Sequence, residues 1–202
     1  MPNFNDFQFR KQPWYDASTI RDLIPTFIPM KTIVVYCFDP RASEIPKNVA
    51  EHFGEIYPGE NIIDEHGSRV GHTATLFTVS NAGGRAVAAL QSVSTMEFLF
   101  RMQNVVVVHH SFCGATAFTA DGIIDAFHHD HGADISKSYD HDSLCIEDYE
   151  KSLKYDVELL RASPGVPKHF NLYGLFYNID TGELTEVVRD IPAREASINK
   201  RA

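Results

Sequence analysis

The sequence predicts an α/β protein: a mostly parallel central sheet flanked by helices, with a C-terminal hairpin and an N-terminal arm. Two patterns predict it. Apolar runs of strand length, Ile33-Val-Val-Tyr36, Leu76-Phe-Thr-Val-Ser80 and Val105-Val-Val-Val108, alternate with stretches whose apolar residues recur at helical spacing. Near the end, two further strand-like runs, Asn171–Asn178 and Glu183–Arg189, are separated by Ile179-Asp-Thr-Gly182, a hairpin turn ending in glycine.

Taken in order, residues 1–30 form an arm rich in aromatic residues, with Phe4, Phe7, Phe9, Trp14, Tyr15 and Phe27. So many aromatics ahead of the first strand are expected to pack on this subunit or on a neighbour. Asp16-Ala-Ser-Thr is placed to cap a short helix ending before Pro25. The first strand covers 31–37. Residues 42–75 read as a short helix near Ile45–Phe53, then Tyr57-Pro-Gly-Glu and a polar loop. After the strand at 76–80 and the turn Asn81-Ala-Gly83-Gly84, the spacing of Val87, Leu90, Val93 and Met96 predicts a helix with one buried face. A third strand spans 104–109. Ile146, Tyr149, Leu153, Val157 and Leu160 step by three and four, predicting an amphipathic helix over 146–162 that Pro164-Gly-Val-Pro167 ends. The expected division is an arm over 1–30, one α/β domain over 31–192 and a polar tail over 193–202.

Composition narrows the function. Hydrophobic residues are 44% and charged residues 22%, ordinary for a soluble globular chain. A net charge of −9 argues against nucleic acid or an anionic membrane as partner. No apolar run approaches the roughly 20 residues of a membrane span. Met1-Pro-Asn-Phe-Asn-Asp lacks the basic and apolar regions of a signal peptide. The three cysteines do not suggest an oxidising compartment, so a cytoplasmic setting is expected.

The chemistry gathers at two strand ends. Cys37-Phe-Asp39-Pro-Arg41 closes the first strand and His110-Ser-Phe-Cys113 closes the third. A strand that ends in a functional residue places it at the carboxyl edge of the sheet, where open α/β folds put their sites. Two cysteines and a histidine are ligands of the kind zinc prefers, and catalytic zinc commonly has three protein ligands with a fourth position for water. The bland readings are buried cysteines acting as small hydrophobes, a Cys37–Cys113 disulfide, and a strand-end salt bridge for Asp39–Arg41. Asn81-Ala-Gly-Gly84 could also be read as a phosphate loop, but it lacks both the GxGxxG pattern and a Walker lysine. His128-His-Asp-His131, with His141 beyond, could bind metal; its polarity points instead to a solvated loop. His109 precedes His110 on a strand, so its side chain should point away from any metal there.

The ordered set CxDxR, NAGG, HxxCG and a terminal DxxTGxL hairpin resembles the β-class carbonic anhydrases from about Lys31 to Val188. The resemblance implies that family's fold, a Zn2+ cofactor bound by Cys37, His110 and Cys113, and a catalytic dyad of Asp39 and Arg41. It also implies a homodimer or homotetramer with metal sites near subunit interfaces. His109 stands where many members have Gly, and Ser80 where many have Arg. These departures look closer to a divergent branch that includes carbonyl sulfide hydrolases as well as authentic carbonic anhydrases. The expected reaction is hydroxide addition to a linear heterocumulene, with carbonyl sulfide slightly favoured over CO2 and a non-catalytic zinc or thiol-redox protein as the alternative from another class. Asp39 would accept a hydrogen bond from the attacking hydroxide, and Arg41 would keep Asp39 ionised. Such a substrate needs a narrow apolar pocket. Phe38 and Phe112 are candidates to line it, with Tyr36 behind and with Gly83 and Gly84 allowing close backbone approach.

Overall fold

The computed structural model describes residues 2–193, so the tail expected over 193–202 lies outside the described residues from 194 onward. Among the described residues, a five-stranded sheet is ordered β4-β1-β5-β6-β7. Its strands are β1 (Thr32–Cys37), β4 (Leu76–Asn81), β5 (Asn104–His110), β6 (Asn171–Tyr177) and β7 (Leu184–Asp190). The first four run parallel, and β7 returns antiparallel to β6. Ile33, Val34, Val35 and Val105 to Val108 are fully buried, as central parallel strands covered on both faces must be.

Helices α1 (Ile20–Phe27), α2 (Ile45–Phe53), α3 (Leu90–Phe100) and α5 (Tyr149–Ala162) cover the two faces, while α4 (Ala120–His131) stands off the sheet with Ala120 as its buried residue. Val93, Leu153, Val157 and Leu160 pack against Ile33, Val35, Val105 and Val107 on one side. Ile45 and Val49 of α2 pack against Val34, Val106 and Val108 on the other. None of these helices is long and apolar enough to cross a membrane.

The connectivity locates the crevice. From β1 the chain moves to β4 on one side, and from β5 it moves to β6 on the other. The carboxyl ends of β1 and β5 therefore flank the point where the winding reverses, the position at which open α/β sheets form a site. Cys37 ends β1 and His110 ends β5.

At the opposite, amino end, polar side chains cross the sheet as a ladder. Thr32 Oγ1 donates to Glu55 Oε1 at 2.5 Å, Asn104 Nδ2 donates to Thr32 Oγ1 at 2.8 Å, and Asn171 Nδ2 donates to Asn104 Oδ1 at 2.9 Å.

Several elements differ from the sequence expectations. The first helix runs through Pro25 to Phe27. Its apolar face joins the core through Ile20 and Ile24, which outweighs the one backbone donor that proline lacks. The polar loop within 42–75 contains a hairpin, β2 (Asn61–Ile63) with β3 (Arg69–His72), tied by Asp64 Oδ1 accepting from the His66 and Ser68 N–H groups. Its strands are too short and too exposed to show alternation. Val87 lies in a 3-10 turn before α3 and is 37% exposed, so it is not on the buried face. The last long helix starts at Tyr149, capped by Asp148, whose side chain accepts from Lys151 N–H. Ile146 precedes it. His128, His129 and His131 form the last turn of α4 rather than a loop.

Candidate metal centre

Ligand atoms of Cys37, His110 and Cys113 all lie within 4.8 Å of one another, and all three residues are buried. The two Sγ atoms are 3.8 Å apart, and both cysteines are free. A disulfide needs about 2.05 Å. Two zinc–sulfur bonds of about 2.3 Å at a tetrahedral angle place their sulfurs about 3.8 Å apart. His110 Nδ1 is 2.9 Å from the Ser111 carbonyl. That carbonyl only accepts, so Nδ1 carries the proton and Nε2 keeps its lone pair. Nε2 is buried with no hydrogen-bond partner among the described residues. Two sulfurs at this spacing and an orphaned imidazole nitrogen fit a zinc ion.

Electrostatics agree. The hydrogen bond from the Cys113 thiol, ahead of the opposing effect of burial, lowers the Cys37 thiol to about 4. That bond and burial push Cys113 well above the usual thiol range. The pair thus shares a proton that a cation would displace. Burial lowers the His110 imidazole, but Cys37 and the Ser111 carbonyl more than offset it and leave the group raised.

The loops are shaped around this trio. The Asp39 N–H donates to Cys37 Sγ at 3.4 Å. Pro40 then starts a 3-10 turn whose N-cap is Asp39, and this folds Arg41 back on the carboxylate. Arg41 N–H and Nε–H both donate to Oδ1 at 3.0 Å, and Nη2 donates to Oδ2 at 2.6 Å. These Arg41 bonds hold the Asp39 carboxyl well below the usual carboxylate range. Arg41 Nη2 also donates to the Phe112 carbonyl at 3.0 Å, joining the two ligand-bearing loops. Phe112 has φ 55°, a left-handed conformation that costs an aromatic residue of order 1–3 kcal/mol. Ser111 secures the same loop: its N–H donates to the Tyr177 carbonyl at 2.9 Å, and its Oγ accepts from Ile179 N–H at 3.0 Å.

Gly83 and Gly84 both have positive φ, and Gly84 lies against β1. A Cβ on Gly84 would stand 2.8 Å from the Val108 carbonyl oxygen and 2.9 Å from the Cys37 nitrogen. Gly84→Ala is therefore expected to destabilise the chain by about 2–3 kcal/mol in urea unfolding. Gly54→Ala is the control: its φ is also positive, but nothing lies within 4 Å of the added Cβ, so it should cost only about 1 kcal/mol.

Other candidates are placed differently. Phe38 and Phe112 are 65% and 71% exposed, so within one chain they flank the centre without closing a pocket over it. An apolar groove of about 1110 Å³ and a polar hollow of about 460 Å³ lie elsewhere, and neither is lined by Cys37, Asp39, His110 or Cys113. His129 pairs with Asp130, and His141 with Asp121, on the surface. His109 is fully buried, with Nε2 3.0 Å from Ser152 Oγ, on the α5 side of the sheet. Burial, then the nearby Arg85 charge, lowers it to about 3, so it is neutral.

The sequence reading missed Tyr149, Arg85 and Asp156. The Tyr149 hydroxyl donates to the His110 carbonyl at 2.9 Å, and its ring packs against the Cys37, Cys113 and Ile146 cluster. Arg85 and Asp156 form a buried ion pair at 3.0 Å. A signal for it exists: Asp156 falls three residues after Leu153 and four before Leu160, inside the apolar stripe of α5.

A crystal structure of carbonic anhydrase from Streptococcus mutans superposes with a TM-score of 0.59 at 26% identity, covering 93% of this chain and 99% of that one. An apo carbon disulfide hydrolase superposes with a TM-score of 0.57 at 21% identity, covering 85% of each chain. Beta-carbonic anhydrase 1 of Mycobacterium tuberculosis is 28% identical over 98 residues, which are 48% of this chain and 58% of that protein. The protein of the same name from Mycobacterium bovis matches equally, so the chain spans little more than half the length of these curated relatives. No family model matches the chain.

Proposed function

We propose that this chain, a member of the β-carbonic anhydrase family, is a zinc-dependent enzyme that adds hydroxide to a linear heterocumulene, with CO2 hydration as its first activity. One observation supports this above others: two sulfurs 3.8 Å apart and an unpartnered imidazole nitrogen converge beside a carboxylate held by its own arginine. A structural zinc site has no use for that carboxylate. When bound, Zn2+ supplies Lewis acidity and brings the pKa of water towards neutrality. The remaining work falls to the chain. Cys37, His110 and Cys113 hold the cation. The Asp39 N–H draws charge from the Cys37 sulfur. A carboxylate offers about four lone-pair directions; Arg41 takes two on Oδ1 and one on Oδ2. The last, on Oδ2, is left to accept a hydrogen bond from the attacking water and aim it.

Carbonyl sulfide hydrolysis is the second reading, favoured by the double histidine His109-His110 and by the apolar Phe38 and Phe112 at the mouth. The names of the sequence relatives and of the Streptococcus mutans structure weigh towards CO2. Apolar shape alone separates such small substrates by about 10–200-fold. Side-by-side rates on the zinc-loaded protein are therefore expected to show CO2 hydration with a weaker release of sulfide from carbonyl sulfide. Faster sulfide release would reverse the order, and inertness towards both would leave a non-catalytic zinc protein.

The arm over 1–30 serves assembly in this reading, and 31–192 the chemistry. Phe4, Phe7, Phe9 and Trp14 are each more than half exposed in the single chain. Phe9 and Trp14 also border the 1110 Å³ apolar groove along α1 and β4. A second copy would cover both. Deleting residues 1–15 should lower the mass seen by light scattering or cause aggregation; an unchanged soluble mass would refute this assembly. The free thiols suit a reducing compartment, and we place the protein in the cytoplasm.

A further inference from the structure

The 3-10 turn Ala82–Gly84, between Asn81 and Arg85, lies directly against the metal centre, and both its glycines have positive φ. Its closure is a side-chain clasp: Asn81 Oδ1 accepts from Arg85 N–H at 2.8 Å, and Asn81 Nδ2 donates to the Arg85 carbonyl at 3.1 Å. The turn meets the first ligand through the backbone: Asn81 is the register partner of Cys37, the Asn81 carbonyl accepts from Phe38 N–H at 3.2 Å, and a Cβ on Gly84 would stand 2.9 Å from the Cys37 nitrogen. A Cβ on Gly83 would stand 3.1 Å from Ala115 and 3.5 Å from Ile146, so the turn is also pressed against the far wall of the site.

From the end of the clasp, the Arg85 side chain enters the interior and is 4% exposed. Nε donates to Asp156 Oδ2 at 3.0 Å and Nη2 to Asp156 Oδ1 at 3.3 Å. Nη2 donates to the Asp142 carbonyl at 3.0 Å, and Nη1 donates to the Cys145 carbonyl. One guanidinium thus joins three pieces of the site's wall. These are the glycine turn over Cys37, the segment through Cys145 that carries Ile146 onto both sulfurs, and α5, whose Tyr149 holds the His110 carbonyl. A buried ion pair is a poor source of stability, because desolvating both charges offsets much of their attraction. What a rigid, bidentate fork supplies well is geometry.

We propose that Arg85 is a positioning residue for the metal centre. Braced by Asp156, it fixes the Asn81–Arg85 turn against Cys37 and the Cys145–Ile146 segment against the cysteine pair, and so holds the two sulfurs at the spacing the cation needs. The proposal rests on the zinc reading above and predicts effects on metal binding that loss of packing alone would not produce.

The test uses two variants, Arg85→Lys, which keeps the charge but loses the fork, and the double variant Arg85→Met with Asp156→Leu, which removes both charges. Zinc affinity, measured by chelator competition, should fall at least about 10-fold in each. The thiolate-to-metal charge-transfer band of the cobalt-substituted protein should shift. A folded variant with unaltered affinity and band, whatever its melting temperature, refutes the role of Arg85. If neither variant folds, Asn81→Ser, which opens the clasp and leaves the buried pair in place, decides: unaltered zinc affinity and band there refute the proposal, and a loss supports it. An unaltered protein that binds no zinc would instead refute the zinc reading itself.

Discussion

Cys113→Ser is expected to abolish stoichiometric zinc and, with it, activity. A serine hydroxyl is neutral at pH 7, so the site would lose one of its two anionic ligands. Structural zinc sites of four ligands bind with roughly 10–16 kcal/mol, about 3 kcal/mol per ligand, so affinity should fall on the order of 100-fold or more. Metal analysis after dialysis against a weak chelator, with Cys145→Ser as control, separates the site from a general thiol effect. Cys145 is buried with its thiol on Glu147 and is not among the converging ligand atoms. Full zinc occupancy in Cys113→Ser would remove Cys113 from the ligand set.

Asp39→Ala should keep zinc and lose about 100-fold or more in turnover, the usual scale for a group that handles a proton at the reacting atom. Arg41→Ala should lose nearly as much. It removes all the side-chain bonds that hold the carboxylate, and also the link to the strained Phe112 carbonyl. Because the two act as one unit, the double variant should be little worse than either single one. Additive losses would mean separate roles, and an unchanged rate in Asp39→Ala would make the pair a surface salt bridge.

Legibility in the sequence followed burial and reach. The strands at 32–37 and 104–110 could be read because both faces are covered and every position is apolar or functional. Their carboxyl ends announced the centre because Cys, His, Asp and Arg are conspicuous after valine. The hairpin at 61–72 escaped because three exposed residues carry no periodicity. Proline at 25 misled because a short amphipathic helix tolerates one missing donor near its end. The Arg85–Asp156 brace spans 71 residues of chain; the apolar stripe of α5 marks Asp156 as buried, but it does not name Arg85 as its partner. Phe38 and Phe112 were read as pocket walls because they are apolar and adjacent to ligands. Whether they enclose anything is a property of what meets them, which one chain does not encode.

The polar ladder at the amino edge has a consequence for how the site comes into being. Thr32 and Asn104 are hydrogen-bonded neighbours in register, and Cys37 lies five residues beyond Thr32, about 17 Å away along the strand. A slip of one residue between β1 and β5 would turn every side chain to the other face, and it would carry the sulfur and the imidazole out of common reach. Glu55, Thr32, Asn104 and Asn171 therefore act as a vernier: they set the strand alignment at one end that the cation reads at the other. A chain that closed this ladder out of step would not bring the three ligand atoms together.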